Sequence, residues 1–179
     1  MTDFNVVKFP SQDEGRIGEG LESASLRDLK VSIDLRSSVN KVQARLNDAA
    51  EHLEQGLQYQ LPPSFVGKLF SSRTPSETKL HIEIQRNLAN SALREGHEGL
   101  INLRETFSSV ISDGAFDSSK SEESGEKALL QNAIKVFESF MDVGIRAANK
   151  LGTPMSNAEI KKTQAELRAA TKTLDLGIT

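Results

Sequence analysis

Three histidines, His52, His81 and His97, have the widest chemical repertoire in this chain. Imidazole serves as metal ligand, general base or proton carrier near neutral pH. Helical proteins often hold metals through Glu-x-x-His, which sets carboxylate and imidazole one turn apart on the same face. The residues three places before the histidines are Ala49, Thr78 and Arg94, so that motif is missing. A looser cluster would pair His52 with His81 across a helical hairpin, near Glu51, Glu54 and Glu83. Heptad phase opposes it, because His52 flanks the apolar seam while His81 points away. His97 stands in "HEGL". A phosphate-carrying histidine needs positive charge close behind it; a glycine follows here, but Glu98 takes the place of the cation.

Other chemistries fail on similar grounds. No serine sits in Gly-x-Ser-x-Gly or Ser-x-x-Lys at a strand-to-helix elbow; Ser118, Ser119 and Lys120 fall in a loop. "GKLFSS" from Gly67 lacks the first glycine of a phosphate loop. Carboxylates lie beside basic residues at helical spacing, as Glu98 does with Arg94, which is the pattern of a solvated face. Lys68 and Arg73 accompany Phe65 and Phe70, but two cations are too few to grip a nucleic acid. The sequence thus predicts no catalytic residue, no metal site and no cofactor, and a protein that is not an enzyme.

Composition narrows the class. The chain has 179 residues, 37% hydrophobic and 26% charged, with a net charge of −3. Nucleic-acid binding needs a basic field, so that partner is not expected. Cysteine is absent, which removes disulfides and thiolate chemistry. Tryptophan is absent and Tyr59 is the one tyrosine, so aromatic walls for a ligand are scarce. The opening residues hold no apolar run long enough for a signal peptide. No stretch approaches the roughly 18 apolar residues of a membrane span. The expected location is cytoplasmic, with secretion by a signal-peptide-independent route as the second reading.

The elements follow from apolar spacing. Residues 1–24 carry five acidic and two basic residues among Gly and Ser and read as a flexible tail. Within it "FNVVKF" offers Phe4, Val6, Val7 and Phe9 as a clip for the body or for a partner. Ser25 followed by Asp28 reads as the start of a first helix, running to about Gln60. "LKVSIDL" alternates like a strand, yet Leu26, Leu29 and Ile33 also fit helical spacing, and helix is favoured. From Leu35 the seam is Leu35, Val39, Val42, Leu46, Ala49 and Leu53, at spacings of four and three. Pro62 and Pro63 stop it. "SFVGKLF" reads as a short helical cap over the end of a bundle.

Thr74, Pro75 and Glu77 form a capping box with proline at the first helical position. They open a second helix over 75–111. Its seam is Ile82, Ala89, Leu93, Gly96, Leu100, Leu103, Phe107 and Val110. Gly96 and Gly99 cost about 1 kcal/mol each relative to alanine and imply close helix approach. Residues 112–127, rich in Ser, Gly and acid, read as a mobile loop. The third helix, 127–151, carries Leu130, Ala133, Phe137, Phe140, Gly144, Ala147 and Leu151, widened by Ile134, Met141, Ile145 and Ala148. So broad a face needs two neighbours. Gly152 is expected to end it as a C′ glycine, with Pro154 blocking continuation. Ser156 and Glu159 begin a fourth helix whose face, Ile160, Leu167 and Leu174, looks thin and suited to an edge or another chain.

The expected fold is all-α: an elongated antiparallel bundle of four main helices, two long and two shorter, plus the short capping helix. One bundle domain would span 25–176, with the seam of 35–53 against the second helix and the third in their groove. The expected function is a non-enzymatic helical interaction protein, an assembly subunit, scaffold, chaperone or effector. Its partner would be itself, as a homo-oligomer, or another helical protein. Its contact residues would be Phe4, Val6, Val7, Phe9, Ile160, Leu167 and Leu174. The alternative is a ligand-sensing bundle with a small-molecule pocket near Gly96, Gly99 and Gly144.

Overall fold

The computed structural model describes residues 14–61, 74–112 and 121–176. The clip Phe4, Val6, Val7 and Phe9 and the cap "SFVGKLF" lie outside these residues. Four helices occur in the order α1 (Glu14–Gln60), α2 (Pro75–Ser112), α3 (Ser121–Leu151) and α4 (Asn157–Leu176). Among the described residues there is no strand, and the fold is an all-α helical bundle.

The chain divides into two compact units, Met1–Asp34 and Leu35–Thr179. In the first, the described residues are helical from Glu14 onward. One sequence expectation changes there: residues 14–24, read as tail, are helix, while the alternating stretch 29–35 is helix, as favoured. Helical spacing at Leu26, Leu29 and Ile33 outweighs the two-residue alternation when no turn residue interrupts it.

In the second unit the predicted seams form the core. Leu35, Val39, Val42, Leu46, Ala49 and Leu53 are all buried, and Leu57 extends the line. On α2, Ala89, Leu93, Leu100, Leu103, Phe107 and Val110 are buried, with Ile82 half-buried near the helix start. On α3, Leu130, Ala133, Phe137, Phe140, Ala147 and Leu151 face inward. Ile145, expected to widen that face, is 45% exposed instead.

Contacts set the register. A Cβ added at Gly99 would meet Val42 at 2.9 Å, and one at Gly96 would meet Leu46 at 2.7 Å. Further along, His52 Nδ1 lies 2.8 Å from Gln85 Oε1, and Tyr59 stacks on His81 with centroids 5.0 Å apart. As α1 numbers rise, α2 numbers fall. Between α2 and α3, Leu93 meets Gly144, Arg104 pairs with Glu138, and Arg86 lies against Gly152. Between α1 and α4, Arg168 Nε donates to Glu54 Oε1 at 2.8 Å, and Gln43 Nε2 to the Leu174 carbonyl at 3.5 Å.

Both capping boxes are built as expected. The Thr74 backbone N–H donates to Glu77 Oε2 at 2.8 Å, and the Glu77 N–H returns a bond to Thr74 Oγ1 at 3.2 Å. At α4 the Ser156 N–H and hydroxyl donate to Glu159 Oε2 at 2.9 and 2.7 Å. Other boundaries move. Residues 121–127, read as loop, belong to α3. Gly152 does not adopt the left-handed conformation. Instead α3 tightens at its end, where the Gly152 and Thr153 N–H groups bond three residues back to Asn149 and Lys150.

Candidate functional site

The contact residues expected on α4 are not a free face. Ile160 is 0%, Leu167 2% and Leu174 0% exposed within this single chain. These three side chains are taken up within the chain itself. Counting apolar residues alone missed Thr163 and Gln164, which are buried between Ile160 and Leu167 and complete the inward stripe. Thr163 is bonded there, its hydroxyl accepting from Lys150 Nζ at 3.2 Å. Small and polar groups at core spacing make a full face when the neighbouring helix comes close enough to bond them.

The space where a side chain would stand at the helix glycines is taken by neighbouring side chains. Leu46 fills the space at Gly96, Val42 that at Gly99, and Leu93 that at Gly144. Missing side chains here let the opposite helix approach. A groove of about 660 Å³ runs beside Gly99, lined also by Ser38, Lys41, Val42, Arg45, Glu95 and Asn102. Arg45 crosses it to Glu95 at 2.9 Å and also reaches Asp48 at 3.2 Å. These side chains are about half exposed, so the pairs stabilise little.

Two of the three histidines engage the facing helix. His52 is half-buried against Gln85, and exposed His81 stacks on Tyr59. In this register they sit about 10 Å apart along the helices. His97 is exposed. Among the described residues no group of three His, Asp or Glu could hold a metal ion.

Among the described residues two surfaces stand out. On α2, Leu80, Ile84 and Leu88 recur every four residues and are 56%, 42% and 44% exposed. Residues four apart fall on one side of a helix, so these make one stripe. The sequence pattern hid it because only the inward seam was followed. His81 and Gln85, which engage α1, lie beside it on the same helix.

The second surface is an open cleft of about 500 Å³ where the end of α1, the start of α2 and the α3–α4 turn meet. Its architect is Gln60. The seam of α1 steps from Leu53 to Leu57 and then arrives at this polar residue. A polar group at a core position requires hydrogen-bond partners. Gln60 finds them in the turn: Nε2 donates to the carbonyls of Leu151 at 3.3 Å and Thr153 at 3.2 Å, and Oε1 accepts from the Met155 N–H at 3.2 Å. One side chain thereby fixes the α3–α4 connection to the end of α1. A polar residue interrupting a heptad seam is the signal by which sequence reading could have found it.

Arg86 lies behind this turn. A Cβ at Gly152 would stand 3.0 Å from its guanidinium carbon, close enough that the arginine head would have to shift slightly. Among the described residues Arg86 Nε is buried without a hydrogen-bond partner. A cation at the C-terminal end of α3 is favourably placed for that helix's dipole.

Among the described residues no helix is long and apolar enough to cross a membrane. Comparison with protein-family models, with curated proteins and with solved structures finds no match.

Proposed function

We propose that this protein is a non-enzymatic helical interaction protein, an assembly subunit, scaffold, chaperone or effector, working in the cytoplasm through apolar helix faces. Its helices would form an antiparallel up-and-down bundle. The opposed registers of α1 with α2, α2 with α3 and α1 with α4 support that arrangement. The preferred partner is a second copy of the chain or a helix of another protein, rather than nucleic acid.

One observation carries the reading: the exposed stripe Leu80, Ile84 and Leu88 on α2. Large apolar side chains repeated every four residues are the anchors of helix-on-helix recognition. Burying such a side chain is worth about 1.5–3 kcal/mol. The contact surface therefore moves from the α4 residues to the outer side of α2.

The test is light scattering of the full chain after size exclusion, beside a variant with Leu80→Ser, Ile84→Glu and Leu88→Ser. Self-association predicts a mass above the monomer for the wild type and a monomeric mass for the variant. The thermal midpoint should stay within a few degrees, since none of the three residues is in the core. A wild type that remains monomeric at every concentration overturns self-association. So does a variant that keeps the larger mass.

A further inference from the structure

We propose that the cleft between the end of α1, the start of α2 and the α3–α4 turn binds a small amphiphilic acid: an apolar body carrying one carboxylate. Its volume, about 500 Å³, falls within the roughly 300–1,000 Å³ typical of small-molecule sites. Tyr59, Ile82, Leu151 and Met155 supply apolar walls from three separate segments. Those segments are tied together. Gln60 bonds the turn at three points, and Tyr59 stacks on His81 of α2. The walls are thus held in place before any ligand arrives, which lowers the entropy cost of binding.

The charge of the ligand follows from what lines the cleft. Among the described residues Lys79 is the one charged group lining the cleft, and no carboxylate joins it. Among the described residues Lys79 has no ion-pair partner. The end of α3 brings partial negative charge to this corner, but Gln60 already donates to two carbonyls there, those of Leu151 and Thr153. Arg86 lies just behind Gly152, outside the lining, its Nε buried with no hydrogen-bond partner among the described residues. Lys79 and Arg86 are seven residues apart, two turns along the same side of α2. An apolar enclosure with a free ammonium at its lip selects an apolar molecule with a negative head over its neutral counterpart. This inference does not depend on self-association through the α2 stripe, which lies on a different side of that helix.

The experiment uses the isotope-labelled full chain, titrated separately with phenylbutyrate and phenylbutanol and followed by two-dimensional amide spectra. These probes share a body and differ in the head group. Phenylbutyrate should shift the amides of Gly152, Thr153 and Met155 saturably and leave Gly96 and Gly99 in place. It should bind roughly two- to five-fold tighter than the alcohol, the range of one exposed charge pair. Lys79→Met, an exposed substitution that keeps an apolar stem, should abolish that preference without weakening the alcohol. No saturable shift at the turn overturns the proposal. Equal affinity for the two probes, or a preference that survives Lys79→Met, does the same.

Discussion

The middle of the bundle and its α3–α4 end solve the same problem in opposite ways. In the middle, helices meet through absence: Gly96, Gly99 and Gly144 remove a side chain, and Leu46, Val42 and Leu93 fill the space. At the end the apolar seam runs out, and Gln60 reaches across to bond the backbone of the turn. In the first region side chains of the opposite helix fill the glycine positions, and the open space is a surface groove beside Gly99. Hydrogen bonding to an irregular turn leaves a cleft in the second, because a turn cannot interdigitate as a ridged helix can. Stability should therefore concentrate in the middle.

The sharpest way to break this contrast is at Leu46, which is 0% exposed. Leu46→Ala should cost about 3 kcal/mol, within the usual range for a buried leucine. Gly96→Ala alone should be nearly neutral. Its new Cβ would sit 2.7 Å from Leu46 Cδ2, and the helix gain of about 1 kcal/mol offsets the crowding. In the Leu46→Ala background the same methyl enters emptied space and should restore about 1 kcal/mol or more. Denaturant unfolding of all four proteins gives the coupling. Additive values would mean that the glycine does not serve the leucine.

How far the sequence foretold this arrangement depends on the physics at each place. Where burial alone decides, as along Leu35 to Leu53 and Leu130 to Leu151, apolar period three and four located the core residues. The boxes at Thr74 and Ser156 were legible because two side chains exchange bonds locally. Ile145 was misplaced because period cannot tell how wide a face its neighbours cover. Thr163 and Gln164 were overlooked because a polar residue enters a core only when a partner such as Lys150 awaits it. That partner lies on another helix. Gln60 and Arg86 belong to the same class: what they do depends on a turn that is distant in sequence. The α2 stripe is a different failure, since an exposed leucine carries no local signature of its purpose.

A smaller effect is expected at the end of the bundle. Gln60→Ala removes three hydrogen bonds from a half-buried site and should cost roughly 1–2 kcal/mol, less than three separate bonds because water can reach part of the turn. The loss should be local. Hydrogen exchange at Met155, whose N–H bonds Gln60 Oε1, should quicken more than at Leu100 or Leu103 in the packed middle. Gln60→Glu keeps an acceptor for that N–H but loses both donors and sets negative charge beside two carbonyls. It should be worse than alanine. Equal exchange in both regions would erase the distinction between them.

The smallest effect lies at the start of α4. The Ser156 hydroxyl, then its backbone N–H, hold the Glu159 carboxyl below its ordinary pKa of 4.5, with Lys150 adding a weaker attraction and desolvation a small opposing push. A carboxyl with a folded value below its unfolded one favours folding when ionised. Its contribution is complete above the unfolded value and fades as pH falls through the folded one. The Ile160 amide, bonded to the Ser156 carbonyl at 3.0 Å, reports on this cap. Its protection should exceed that in Glu159→Gln at neutral pH, and the two should converge as the solution is acidified below the ordinary carboxylate range. The side chain is fully exposed, so the difference should be confined to the first turn of α4 and leave the exchange of Leu46 and Phe137 unchanged. A gap that persists in acid would mean that the cap works through shape alone and owes nothing to the charge on Glu159.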